Sequence, residues 1–131
     1  MRGKPYKTPN NTHPMGGRKV LGLVEPVTVH GDTQSEHLIA RIDSGATASS
    51  IDTALAEKLQ LGPVTREKIV KSASGVSRRP IIVAKITIDG EEMEEEFTLA
   101  DRTHMTYKML VGQNILKKGA FLIDPLKEVS E

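Results

Sequence analysis

Apolar residues along the chain come in short alternating runs or brief blocks, the pattern of strands more than of long helices. Residues 20–30 are Val-rich and interrupted by Pro26, which predicts an edge or bent strand. Gly31-Asp32 signals a turn, and residues 37–42 form a second strand running straight into Asp43. In residues 49–59, Ile51, Leu55 and Leu59 fall at four-residue steps among helix formers, which predicts a short helix or turn. Residues 67–71 and 80–88 read as strands flanking the loop Ser72-Ala73-Ser74-Gly75, a hairpin. Asp89-Gly90 is a strong hairpin turn into a strand over 93–100. A short apolar strand at 108–111, one or two helical turns at 113–118 and a last strand at 120–123 complete the pattern, stopped by Asp124-Pro125. Many short strands with Gly or Pro punctuation predict a closed or sandwich-like all-β domain.

Residues 1–18 show no periodicity and are rich in Pro, Gly, Asn and basic residues, which predicts a disordered arm before a single domain over 19–131. The length of 131 residues fits one domain. With 18 Lys+Arg against 17 Asp+Glu, the balance argues against a general nucleic-acid binder. Two Tyr, two Phe and no Trp leave few stacking platforms, so the core falls mainly to Ile, Leu, Val and Met. The absence of cysteine excludes a disulfide scaffold, Cys-ligated zinc and thiol catalysis. No apolar run approaches the roughly 18 residues of a membrane span, and the basic N-terminus has no apolar stretch behind it, so a cytoplasmic location is the expectation.

The candidate chemistry centres on Ile42-Asp43-Ser44-Gly45-Ala46-Thr47. An acid at the end of an apolar strand is costly to bury unless partners satisfy it. Ser44 supplies a hydroxyl, Gly45 permits a tight turn and close backbone approach, and Ala46 keeps the site narrow. On these residues alone a plain Asx-type turn accounts for the motif better than catalysis does. A second feature lies downstream: the apolar strand Met109-Leu110-Val111, then Gly112, Gln113, Asn114, Ile115 and Leu116.

Together, an apolar strand into Asp-Ser-Gly-Ala, a flap-like hairpin, and apolar-apolar-Gly-x-Asn-x-Leu resemble a retropepsin-like aspartic peptidase over residues 20–125. The stretches 96–102, 109–112 and 121–125 are similar to the bacterial and archaeal family labelled ATP-dependent zinc protease, found with RimK-like ATP-grasp ligases. The resemblance implies a closed six-stranded acid-protease barrel with one short helix, paired as a two-fold homodimer. It implies a catalytic Asp43, with Ser44 bonding across the dimer and Gly45 and Ala46 lining the cleft. Gly112, Gln113 and Asn114 would support the catalytic turn. Thr47, the flap tip Ser72, Ala73, Ser74 and Gly75, and the flap cations Arg78 and Arg79 would contact substrate. Viral relatives carry an Asp–Arg ion pair where this chain has Thr47 and Gln113, so both partners are neutral here.

The chemistry that follows is peptide hydrolysis by water held between two carboxylates, one Asp43 from each copy. Lys71, Arg78 and Arg79 suggest attraction of an acidic, glutamate-rich peptide, and an ATP-grasp ligase is the partner the family association suggests. Neither a zinc nor a nucleotide cofactor is expected. No H-E-x-x-H helix and no G-x-x-x-x-G-K-[ST] loop is present, and His13, His30, His37 and His104 read as surface or core histidines, although His30 and His37 flank one turn. The acidic run 91–96 reads as a solvated face protecting a sheet edge. The alternatives are a non-catalytic β-barrel dimer that binds peptide or scaffolds a complex, and a metal-dependent peptidase.

Overall fold

The computed structural model of the chain describes residues 17–129. Strand β1 (Val20–Leu21) is followed by β2 (Val24–His30), β3 (Ser35–Ile42), β4 (Ser49–Asp52) and helix α1 (Thr53–Lys58). Then come β5 (Arg66–Ser72), β6 (Gly75–Ile88), β7 (Glu91–Ala100), β8 (Met109–Val111), α2 (Gln113–Lys118) and β9 (Leu122–Ile123). The main sheet runs β2-β3-β8-β4-β7-β6, and a further β2–β6 pairing closes these strands into a six-stranded barrel. Strand β5 pairs only with β6, outside the ring. Closure removes the open edges that a sheet this small would otherwise expose.

The pattern of side chains explains the closure. On β6, Ile82, Ala84, Ile86 and Ile88 point inward while Val83 and Lys85 face out, the two-residue period of a half-buried strand. Val27, Val29, Ile51, Met93, Phe97, Met109, Val111 and Ile115 meet them in one core. Each such side chain fully withdrawn from water contributes about 1.5–3 kcal/mol. Pro26 sits where β2 is paired with β3 alone, since the pairing with β6 begins at Val27, so its missing N–H leaves no ladder bond broken on that side. Asp89 (φ 49°) and Gly90 (φ 80°) make the two-residue β6–β7 turn with both residues left-handed, the geometry an Asp-Gly pair accommodates.

Three expectations change. The described residues hold two six-residue helices rather than one, α2 falling on the expected turns at 113–118. Residues 49–52 are strand, not helix: β4 lies parallel to β7 and antiparallel to β8, and helix begins only after Asp52, whose carboxylate caps it by accepting from the Leu55 N–H. The flap hairpin is longer than expected, β6 starting at Gly75 directly after the Ala73-Ser74 turn.

The expected arm lies mostly outside the described residues, but Arg18 donates to the Ala120 carbonyl at 2.6 Å. Nearby, β1 pairs in parallel with β9, which the sequence did not suggest. Buried Glu25 ties these ends together, accepting from the Gly22 N–H and from Lys127 Nζ at 2.7 and 2.8 Å. The run 91–96 has β6 on one side, while its other edge is capped by α2: Asn114 and Lys118 donate to the Glu96 and Glu94 carbonyls. No helix among the described residues is long and apolar enough to cross a membrane.

Candidate active site

Asp43 follows the last residue of β3 and is half-buried at the head of a turn. Strand β8 runs parallel beside β3, pairing Ile42 with Val111, and the ladder extends one step further as the Asp43 N–H donates to the Val111 carbonyl at 2.9 Å. The turn closes when the Ala46 N–H donates to the Asp43 carbonyl at 3.2 Å. The Gly45 N–H donates to Asp43 Oδ1 at 2.9 Å, so the Asx turn considered from sequence is present. It uses one carboxylate oxygen; among the described residues Oδ2 takes no hydrogen bond. A Cβ on Gly45 would stand 3.3 Å from Asp43 Oδ1, tight against the carboxylate.

The turn is held from behind by the β8–α2 corner. Gly112 packs so closely that an added Cβ would run into the Ala48 carbonyl oxygen. The Gln113 N–H donates to the Ala46 carbonyl and its side-chain amide to the Ser44 carbonyl, both at 2.8 Å. Thus Gln113 grips the turn backbone at Ser44 and Ala46 and not at Thr47. Fully buried Ser49 links the layers: its hydroxyl donates to Asn114 Oδ1 at 2.7 Å and accepts from the Gly112 N–H at 2.9 Å. Asn114 in turn donates to Glu95 Oε1. Gly112, Gln113 and Asn114 therefore all lie behind the Asp43 turn, and Ser49 joins them. Nothing local in the sequence marked Ser49, because its partners lie more than sixty residues downstream.

A cleft of about 530 Å³ opens beside the turn, under the flap hairpin β5–β6. Gly45, Ala46 and Thr47 form its near wall, Lys68 and Arg79 hang from the flap, and Ser50 and Arg102 lie deeper. A second cavity of about 270 Å³ continues past Thr47 and Lys68 toward Asn114. Lys68 and Arg79 are cross-strand partners and share the cleft face of the flap. Arg78, one residue before Arg79, faces the opposite way and pairs with Glu67 at 3.4 Å. The tip residues Ala73, Ser74 and Gly75 and the cation Lys71 are also not among the described residues lining the cleft. The structure thus gathers Gly45, Ala46, Thr47 and Arg79 and leaves Arg78, Ala73, Ser74 and Gly75 aside.

Arg102 was not singled out from sequence. Its N–H donates to Asp52 Oδ1 at 2.7 Å and its Nε to the Tyr107 carbonyl at 2.9 Å. Burial pushes its guanidinium below the ordinary value, with the Asp52 charge opposing. At the rim, Thr103 hydrogen bonds hold the Asp101 carboxyl below its ordinary value. The histidines are placed separately: His30 contacts Thr87 and Ser35, and His37 contacts Thr28, so the two do not face each other across their turn. Among the described residues no three metal-ligating side chains cluster.

A family profile described as the retropepsin-like aspartic endopeptidase RimB matches residues 51–131, well over half of the chain. The chain belongs to the RimB-like family. The match starts beyond Asp43, so the first-half motif rests on its own geometry while the family match rests on the chain from Ile51 onward. Among solved structures, Lpg0085, a protein of unknown function (DUF785) from Legionella pneumophila subsp. pneumophila str. Philadelphia 1, superposes with a TM-score of 0.61. It is 18% identical, over 86% of this chain and 97% of that one. The simian foamy virus (mac) protease gives 0.57 at 18% identity, over 72% and 91%. The EIAV protease complexed with the inhibitor HBY-793 gives 0.58 at 20% identity, over 75% and 88%. At these identities the likeness is one of fold, and it agrees with the closed barrel. No curated protein matches the chain in sequence.

Proposed function

We propose that the chain is an aspartic peptidase whose active site forms when two copies bring their Asp43 carboxylates together. The observation that carries this reading is the Asp43 turn, clamped by Val111, Gln113 and the Gly112 corner, in a chain of a retropepsin-like endopeptidase family. So much hydrogen bonding spent on the position of one half-exposed carboxylate suits a group that must be aimed. One chain supplies one such motif, and the chemistry needs two carboxylates, which a two-fold axis provides from the same residue.

In the dimer the ionised carboxylate takes a proton from a water between the two, and the water oxygen attacks the peptide carbonyl carbon. The protonated partner gives its proton to the carbonyl oxygen, forming a tetrahedral intermediate. Proton return to the amide nitrogen then lets the C–N bond break. Like charges this close share one proton, so hydrolysis fails both in acid, where no base remains, and in alkali, where no acid remains. Lys68, Arg79 and Arg102 around the cleft, against Asp101 alone, favour peptides carrying acidic side chains. Association with an ATP-grasp ligase that adds such residues is part of the same reading.

Asp43→Asn tests it. The variant keeps the turn but supplies no base, so peptide cleavage should fall by several orders of magnitude with the melting temperature nearly unchanged. Undiminished cleavage would sink the proposal.

A further inference from the structure

Of the three nine-tenths-buried polar residues on the cleft lining, Thr98 spends its hydroxyl on the Ser49 carbonyl, which leaves Ser50 and Arg102, 9% and 8% exposed. Each has hydrogen-bonding capacity that the protein leaves unused. Ser50 Oγ is the one buried side-chain polar atom without a partner among the described residues. Its neighbours explain this: Ser49 beside it spends its hydroxyl on Gly112 and Asn114, and cross-strand Thr98 donates to the Ser49 carbonyl. Arg102 commits Nε to the Tyr107 carbonyl, but no carboxylate pairs with its guanidinium among the described residues. Asp52, the acid whose charge acts on it, already has its oxygens engaged by the Leu55 and Arg102 backbone N–H groups. An orphaned buried hydroxyl and a buried cation without an ion-pair partner are both costly, and both are kept where a ligand can satisfy them.

We infer that Ser50 and Arg102 together form a receptor for one side-chain oxygen acceptor of the bound peptide, and so discriminate against an apolar side chain of equal size at that position. The inference rests on the peptidase reading for the nature of the ligand, though not on turnover. The Ser50 hydroxyl, held by no bond, turns about Cα–Cβ toward the occupant and donates to it. The guanidinium supplies the second donor and its charge. A carboxamide or carboxylate satisfies both groups. A hydrocarbon side chain leaves both unpaired in a site now closed to water, which is how a polar pocket achieves large selectivity.

The test uses capped alanine-based peptides with glutamine, glutamate or norleucine at one position, scanned along the peptide. Binding is measured by calorimetry to full-length Asp43→Asn protein, with and without Ser50→Ala. At one position Asp43→Asn protein should bind the glutamine peptide about tenfold or more tighter than the norleucine peptide, with glutamate at least as tight as glutamine. Adding Ser50→Ala should erase most of that preference by weakening the glutamine peptide alone, without lowering the melting temperature, since no native bond is lost. Equal binding of glutamine and norleucine peptides at every position, glutamate weaker than glutamine, or equal loss of both by Ser50→Ala would each overturn the receptor. Wild-type protein assayed on the same peptides separates the two claims. Selective binding without cleavage overturns the peptidase reading and leaves the receptor standing; cleavage without selectivity does the reverse.

Discussion

Asp52 joins two parts of the molecule through one buried carboxylate, which caps α1 at the Leu55 N–H and anchors the Arg102 N–H at the cleft floor. Asp52→Ala removes both acceptors and strands two backbone donors, so urea titration should show a loss of about 2–4 kcal/mol. Arg79 and Arg78 give a contrast between neighbours. Arg79→Glu should lower kcat/KM on acidic peptides by about fivefold or more while sparing neutral ones, the scale of 1 kcal/mol for a charge at an open surface. Arg78→Glu, on the far face beside Glu67, should change the two substrates alike. Sequence alone treats these arginines as equivalent, because which face each takes depends on the register of β5 against β6. Asp43 was legible for the opposite reason: its turn partners lie within three residues of it. Arg102 and Ser50 were not, since burial and orphaned donors arise only when distant strands close over them.

Among the elements, the β8–α2 corner matters most to the site. Gly112→Ala would drive a Cβ into the Ala48 carbonyl, backbone that cannot swing aside as a flexible side chain does. It should lose about 2 kcal/mol or more of stability and most of the activity, because the displaced corner carries Gln113 and its grip on Ser44. A stability loss with activity intact would show that the corner does not position the turn. The strand at 109–111, the glycine and α2 were all readable from a short apolar run, a breaker and helix formers. Strand β4 was not, because Ser-Ser-Ile-Asp has no strand alternation and its partners β7 and β8 supply the order. The Asp at position 52 did carry a usable signal, that of a cap directly before helix formers.

At the scale of the whole molecule, the barrel accounts for most of the chain's apolar pattern, and its closure through β2 and β6 is a long-range pairing no local rule reveals. The β1–β9 pair likewise joins residues about a hundred positions apart. What the barrel leaves incomplete is the chemistry, for it presents a single Asp43 beside an open, cation-lined cleft. The account therefore requires a second copy, with a rate that rises faster than linearly with protein concentration below the dimer dissociation constant. The most direct measurement is cleavage of acidic peptides by wild-type and Asp43→Asn protein, across pH and across protein concentration. The account predicts a bell-shaped pH profile, activity steeper than first order in protein at low concentration, and none in Asp43→Asn. Activity strictly proportional to protein down to the monomer, or undiminished in Asp43→Asn, would contradict it.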